Sequence, residues 1–169
     1  MIKISDPSRC CGCTACVNIC PVQCIVMCRD IEGFDYPYAN PDLCISCGKC
    51  EDVCPMQRIH NPIEPLAAYA VRVDEYVGAS SSGGVFPALA KQVISEGGKV
   101  FGAVFEDGMK VAHAGASAEA EIEKMIGSKY AQSDLYSIFE DVRIALSQDE
   151  YVMFTGTPCQ VAALNGYVG

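Results

Sequence analysis

The sequence has no long apolar run and little positive charge, and both absences narrow the classes of protein to which it can belong. No segment is apolar over a membrane-spanning length, and the first ten residues, MIKISDPSRC, lack the apolar stretch of a signal peptide. We therefore expect a cytoplasmic protein without a membrane span. The net charge of −9 argues against nucleic-acid binding, because phosphate contacts need clustered Lys and Arg.

Cysteine, by contrast, is abundant. The 169 residues include 12 cysteines, and all of them except Cys159 lie before residue 55. In a secreted protein such a number would indicate a disulfide scaffold, but no export signal is present and cytosolic thiols stay reduced. Metal ligation is therefore the leading explanation.

Eight of these cysteines form one motif that occurs twice. The first copy consists of Cys10, Cys13, Cys16 and Cys20, followed by Pro21. The second copy consists of Cys44, Cys47, Cys50 and Cys54, followed by Pro55. Every element recurs at an offset of 34 residues, which indicates one supersecondary unit used twice.

This spacing suits cube-shaped iron–sulfur clusters. Three thiolates at intervals of three residues wrap one [4Fe–4S] cluster, and the fourth cysteine, expected at the start of a short helix, ligates the other cluster. Gly12 and Gly48 suit a backbone that comes close to inorganic sulfide, because glycine has no side chain to obstruct the approach. The predicted ligands are Cys10, Cys13, Cys16 and Cys54 for one cluster, and Cys44, Cys47, Cys50 and Cys20 for the other. Residues 1–58 thus resemble the bacterial-type two-cluster ferredoxins.

Two alternatives to clusters are a pair of four-cysteine zinc sites and a disulfide framework. Zinc sites usually show paired CxxC knuckles rather than three ligands in a row. Cys11, Cys24 and Cys28 are left over; they are interpreted as small buried hydrophobic residues, or else as replacements for a motif ligand or as ligands of a further metal site. With eight thiolates and two oxidised cores, the net charge becomes about −13, which favours a low reduction potential.

The rest of the chain has the alternating strand and helix patterns of an α/β domain. Residues 59–67 are predicted to be a linker, in which His60 is interpreted as an ordinary loop histidine, and residues 68–169 an α/β domain. The predicted strands are LAAYAVRVDEYV, KVFGAVF, KVAHAG and EYVMFTG, and the predicted helices are GGVFPALAKQVISEG, EAEIEKMIG, DLYSIFEDVRIALS and TPCQVAAL. The third helix is expected to be capped by Ser133 or Asp134. In the first segment, residues 24–27 and 34–38 are predicted to pair as a hairpin. The fold class is therefore α+β.

Three loops that precede helices are candidate ligand sites. In GASSSGGVF, Ser81, Ser82, Gly83 and Gly84 could bind phosphate at a helix N-terminus, or the serines could simply cap the helix. In GTPCQ, residues Thr155, Gly156 and Thr157 follow a strand, where α/β sheets bind ligands. Cys159 lies in the first helical turn and is either a reactive thiolate or a buried thiol. Lys129 could contact an anion or remain solvated, and His113 is expected to be packed.

Taken together, SSSGGVFPALAKQVISEGGKVFGAVF, GSKYAQS and VMFTGTPCQVAAL resemble the N-terminal part of the coenzyme F420 hydrogenase and dehydrogenase beta-subunit family. The resemblance covers residues 66–169 and implies FAD, iron–sulfur clusters and electron transfer to a partner. It implies that Ser82, Gly83 and Gly84 lie near the flavin phosphates, Lys129 near the flavin or substrate, and Cys159 near or on a cluster. Family members continue beyond the position of Gly169, so we expect the α/β domain to be incomplete. Relatives with a ferredoxin segment occur in anaerobic archaea and bacteria.

The sequence therefore predicts an iron–sulfur oxidoreductase in which FAD exchanges hydride with a soluble substrate such as the deazaflavin F420. Lys129 and Cys159 are the candidate catalytic residues. The alternative is a non-catalytic electron carrier or docking subunit. Either version needs a redox partner protein or a larger oxidoreductase complex.

Overall fold

The computed structural model describes residues 1–57 and 64–169, which divide into two compact units. The first unit consists of Met1–His60 together with Gly156–Gly169, and the second consists of Asn61–Thr155. The sequence analysis assigned Gly156–Gly169 to the α/β domain, whereas by its contacts this segment groups with the cysteine repeat. His60 and residues 59–63 of the predicted linker lie outside the described residues.

The regular elements are helices and short strands in mixed order. In chain order the helices are α1 (Ala15–Asn18), α2 (Lys49–Asp52), α3 (Asp74–Val77), α4 (Val85–Ser95), α5 (Glu119–Ile122), α6 (Ile138–Ser147) and α7 (Pro158–Val168). The strands are β1 (Ile25–Arg29), β2 (Asp35–Ala39), β3 (Lys99–Phe105), β4 (Val111–Ala116) and β5 (Val152–Phe154). Mixed helix and sheet agree with the expected fold class.

The hairpin that the sequence predicted in the first unit is confirmed. Strands β1 and β2 pair antiparallel, with Ile25 opposite Ala39. The turn between them is closed by the Asp30 carboxylate, which accepts hydrogen bonds from the backbone N–H groups of Glu32 and Phe34 at 2.9 Å. An Asp side chain that bonds its own backbone two residues on is a standard way of fixing a tight turn. The hairpin is thus specified locally.

The fourth cysteine of each motif follows a short helix, whereas the sequence predicted that it would start one. Helix α1 ends at Asn18 and α2 ends at Asp52, so Cys20 and Cys54 follow a helix instead of starting one. After Cys20 the chain makes a turn, which the backbone N–H of Gln23 closes by donating to the Cys20 carbonyl at 3.1 Å. Each of these single helical turns contains the third cysteine of its motif, Cys16 in α1 and Cys50 in α2. The fourth cysteine comes about one helical turn later in the sequence.

A three-stranded sheet with the order β4-β3-β5 forms the centre of the second unit. Strand β3 pairs antiparallel with β4 and parallel with β5. Strands β3 and β4 are joined by the short turn that the sequence predicted in EDGMK. Helix α4 packs Ala90 and Val93 against Val100 of β3 in one hydrophobic cluster. The apolar positions of α4 recur at intervals of three to four residues, which places them on one helix face.

The prediction of a strand in LAAYAVRVDEYV is wrong. The described residues from 64 to 73 contain no strand, and Asp74–Val77 forms α3. Leu66 is fully exposed and Tyr69 is 83% exposed, so the apolar side of the alternation faces no sheet. An alternation of apolar and polar residues stabilises a strand only where a neighbouring strand pairs with it and a core covers its apolar face. Among the described residues, no strand pairs with residues 64–73.

The predicted start of α6 is also wrong. The N-cap is Ser137 instead of Ser133 or Asp134. Asp134 pairs with β4, since its backbone N–H donates to the Val111 carbonyl at 2.9 Å and its carbonyl accepts from the His113 N–H at 2.8 Å. A sheet edge therefore competes successfully for these backbone groups, and the helix begins one turn later.

Among the helices of residues 1–57 and 64–169, none has the length and apolar character that a membrane crossing requires.

Phe139 should be among the residues on which the second unit most depends. It lies on α6, is fully buried and contacts Phe154 of β5 at a ring-centroid distance of 6.5 Å. Phe139→Ala should lower the free energy of unfolding by about 3–5 kcal/mol, because it removes a large core side chain and leaves a cavity. Urea unfolding followed by circular dichroism measures this. Leu146→Ala is the control on the same helix, where the side chain is 43% exposed; an equal loss in both variants would contradict the assignment.

Candidate metal centres

Three cysteines of the first motif and one of the second line a single cavity of about 360 Å³. These four are Cys10, Cys13, Cys16 and Cys54. The remaining wall is mainly apolar and includes Ile2, Ile4, Met27 and Pro37. This thiol set is the one that the spacing predicted for the first cluster, including the fourth ligand from the other motif.

A second cavity of about 330 Å³ has the reciprocal lining. Its thiols are Cys44, Cys47 and Cys50 from the second motif with Cys20 from the first, and in addition Cys24. All eight cysteines of the repeat are therefore distributed crosswise, four to a cavity.

The backbone conformation repeats with the sequence. Gly12 and Thr14 in the first motif have φ of 62° and 57°, and their counterparts Ser46 and Gly48 have φ of 55° and 79°. Left-handed backbone costs a residue with a side chain roughly 1–2 kcal/mol, yet each motif places one such residue there. The loop shape is thus imposed by the cage geometry, and glycine relieves the strain at only one of the two positions in each copy.

Backbone N–H groups point at the sulfurs. The N–H of Ile2 donates to Cys50 Sγ at 3.2 Å, and the N–H of Ser46 donates to Cys44 Sγ at 3.4 Å. Such bonds favour the charged form of a thiolate and tune the potential of a cluster that it ligates.

Burial makes ionisation costly for one thiol in the lining of each cavity. Burial, reinforced by the nearby Cys10 and Cys54, raises the pKa of Cys16 to about 12. In the other cavity burial, reinforced by Cys20, raises the pKa of Cys24 to about 11. Four thiolates can share such a place only if positive charge offsets their repulsion and lost hydration. The donor set therefore fits an iron–sulfur cluster, for which soft thiolates are the usual protein ligands.

The three cysteines outside the motif have different surroundings. Cys24 is buried, as expected, with its Sγ 3.6 Å from Cys20 Sγ. Cys11 is half-buried and lines the first cavity. Cys28 is exposed on β1, so its interpretation as a buried hydrophobic residue is wrong. The hairpin alternation turns its side chain away from the first unit's core.

The disulfide framework and the four-cysteine zinc sites, which are the two alternatives to clusters, can be compared with the described residues. All twelve cysteines lie within the described residues, and no disulfide joins any two of them. In the same residues, 1–57 and 64–169, no group of three or more Cys, His, Asp or Glu could hold a single metal ion.

The candidate phosphate loop is held by packing. Helix α4 begins after Gly84, whose φ is 75°, so none of the preceding serines is its N-cap. Ser81 Oγ instead accepts a hydrogen bond from the backbone N–H of Ser128 at 2.8 Å. A Cβ at Gly83 would lie 2.4 Å from the Val71 carbonyl oxygen, which explains glycine there without a ligand. Ser82 is exposed at the loop surface.

Lys129 and His113 are both engaged within the second unit. The Lys129 amine donates to the carbonyls of Lys124 and Ile126, each at 3.0 Å, and burial lowers its pKa. His113 is packed, as expected: its ring stacks on Phe154 at 5.1 Å, Nε2 donates to the Thr155 carbonyl and Nδ1 accepts from Ser133, both at 2.8 Å. Burial lowers the pKa of His113, so the neutral ring that this pattern requires is favoured.

The segment GTPCQ starts α7 with local hydrogen bonds. Thr155 Oγ1 contacts the Phe101 carbonyl at 3.4 Å within the sheet of the second unit. In the first unit, the N–H of Thr157 donates to Gln160 Oε1 at 2.9 Å, and Thr157 Oγ1 lies 3.1 Å from Cys159 Sγ. Gly156 precedes this cap in irregular backbone. The T-x-x-Q pattern is a signature of helix starts, which the sequence already displayed.

Comparison with protein families gives two matches, both described as a 4Fe-4S dicluster domain. One covers residues 9–57 and therefore includes both copies of the cysteine motif. The other covers residues 36–122, just over half of the chain, and includes the second copy. No curated protein matches the chain.

The crosswise distribution predicts an unusual result for one substitution. Cys54→Ala should lower iron from about eight to about four per chain, because one four-iron cluster loses a ligand. Alkylation of the anaerobic protein, mapped by mass spectrometry, should then modify Cys10, Cys13 and Cys16 while Cys44, Cys47 and Cys50 stay protected. Loss of protection at the second set would contradict crosswise ligation. Cys28→Ala, at an exposed thiol outside both cavities, is the control and should keep all its iron.

Proposed function

Because the chain belongs to the 4Fe-4S dicluster domain family, and such domains imply iron–sulfur electron transfer, we propose that it is an electron carrier with two [4Fe–4S] clusters held crosswise. Cys10, Cys13, Cys16 and Cys54 hold one cluster, and Cys44, Cys47, Cys50 and Cys20 hold the other. Clusters of this type supply reversible one-electron transfer. The single observation that carries the proposal is the lining of the two cavities, each by three thiols of one motif and one of the other.

The residues around the thiols favour a low reduction potential. The chain has a net charge of −9 before any thiolate is counted. Added electrons are disfavoured by surrounding negative charge, whereas the N–H bonds to Cys44 and Cys50 partly offset this effect. Carriers of low potential pass electrons to a redox partner, so we expect a partner protein or a larger oxidoreductase complex.

A second candidate function adds FAD in the second unit, as the resemblance to the F420 hydrogenase and dehydrogenase beta subunits implies. One observation favours it: the hydrogen bond from Ser128 to Ser81 joins two of the three motifs that carry this resemblance. Beside them, Ser80 Oγ is buried and has no hydrogen-bond partner among the described residues. The N-terminus of the 11-residue α4 follows this loop and offers free N–H groups to a phosphate.

In this version the protein is an oxidoreductase. FAD supplies the conversion between a hydride and two single electrons. Ser81, Ser82, Gly83 and Gly84 hold its phosphates, and F420 or a similar soluble hydride carrier is the substrate. Thr155, Gly156, Thr157 and Lys129 are further candidates for binding, and Lys129 and Cys159 for catalysis. The Lys129 amine would have to leave two backbone carbonyls to take part.

Anaerobic purification separates the two versions. We expect about eight irons per chain and a broad visible absorption that dithionite bleaches. FAD in the supernatant of the denatured protein would support the oxidoreductase, and iron without FAD the carrier alone. Colourless protein with zinc and no acid-labile sulfide would overturn both.

Ser81→Ala tests the FAD loop. The substitution removes the acceptor of the Ser128 N–H, so the two loops should separate and FAD per chain should fall about tenfold, the effect of losing roughly one hydrogen bond in a binding site. Ser95→Ala is the matched control, since this serine lies at the other end of α4 and its hydroxyl donates to the Gln92 carbonyl of the same helix. Unchanged FAD content in Ser81→Ala would count against the loop.

A further inference from the structure

Cys11 occupies the first cavity although the repeat does not need it. It is half-buried, lines that cavity and directly follows Cys10. Its thiol interacts with the thiols of both Cys13 and Cys159. The first cavity therefore has a fifth sulfur, and that sulfur bridges a proposed cluster ligand and the most distant cysteine in the sequence.

Cys159 is held in this place by a packed helix. Helix α7 packs on α1 within the first unit. Thr157 and Gln160 fix the start of α7 through the hydrogen bond of 2.9 Å, and Thr157 Oγ1 contacts Cys159 Sγ at 3.1 Å. Two thiols separated by almost the whole chain are thus brought together by tertiary packing, with their positions set before any bond forms between them.

We infer that Cys11 and Cys159 form a redox-active dithiol beside the first cluster site and exchange electron pairs with an external disulfide. This inference rests on the proposed electron-carrier function. In the oxidised state the two sulfurs share one bond. That bond breaks when the pair takes up two electrons and two protons, so that each sulfur ends as a thiol. A cluster held by Cys10, Cys13, Cys16 and Cys54 would supply the electrons one at a time.

The dithiol then reduces an external disulfide by exchange. One thiolate attacks a sulfur of the external disulfide and forms a mixed disulfide, the second thiol resolves it, and the internal bond forms again while two external thiols leave. Electron flow in this direction is favourable, because clusters of low potential lie below most dithiol couples. Thr157 and Pro158, which directly precede Cys159, are exposed and leave room for a partner.

The other close thiols do not offer the same chemistry. Cys20 and Cys24 lie 3.6 Å apart, but Cys20 is a proposed cluster ligand, so a bond between them would dismantle the second site. Cys28 stands exposed on β1 opposite Tyr36. A bond between Cys11 and Cys159 leaves all eight proposed ligands in place, which allows the clusters and the disulfide to coexist.

A reductive titration tests the inference. The iron-loaded chain carrying Cys28→Ser, which removes the exposed thiol, is oxidised anaerobically with glutathione disulfide, separated from it and titrated with dithionite. It should accept about four electrons per chain, two for the clusters and two for the disulfide, whereas the same chain with Cys159→Ser or Cys11→Ser should accept about two. Mass spectrometry of the oxidised chain after acid quenching should show the Cys11–Cys159 cross-link, with iron content unchanged.

Three results would overturn the inference. The first is an equal electron count with and without Cys159, and the second is iron-loaded protein without the cross-link. The third is a loss of iron in the Cys159→Ser chain, which would make Cys159 a cluster ligand. A chain that contains no iron would overturn the proposed function and this inference with it, whereas eight irons without the cross-link would overturn only the inference.

Discussion

The architecture of the cysteine repeat depends on one constraint: thiols that repel one another once ionised have to be buried side by side. The pKa of Cys16, raised to about 12 by burial and by its neighbours, shows the cost of ionising one member of the group without a cation. Iron offsets that cost. The left-handed loop residues Thr14 and Ser46, which cost free energy on their own, are tolerated because the ligand geometry fixes the loops around the centre.

The same sulfurs form much of the first unit's hydrophobic core. Cys16, Cys24 and Cys50 cluster with Ile2, Ile25 and Ala39, and the helices of the repeat are single turns. A unit of this size buries little apolar surface, so structural metal usually supplies the missing stability. Metal binding and folding of the repeat are therefore expected to be one process. Helix α7 also packs on α1 within this unit.

The second unit has a conventional core, and several of its candidate polar groups already have structural partners. Neutral His113 joins Ser133 to the carbonyl of Thr155, and Lys129 caps two backbone carbonyls. Gly83 fits closely against the Val71 carbonyl. Groups with structural partners give less support to a catalytic role than groups without them, which is why the electron-carrier function has the stronger basis and FAD remains the second candidate.

The thiol lining of the two cavities and the hairpin can both be predicted from the sequence, because they follow from short-range spacing: thiols three residues apart can wrap one cube, and an Asp-to-Gly turn returns a strand on its neighbour. The sequence also placed β3, β4 and α4, whose apolar periods are strong. The remaining features depend on tertiary contacts. LAAYAVRVDEYV alternates but finds no sheet, Asp134 gives its backbone to β4 instead of capping α6, and Cys159 reaches Cys11 through the packing of α7 on α1. In each case the outcome depends on which distant partner satisfies a backbone or side-chain group, and local pattern carries no information about that partner.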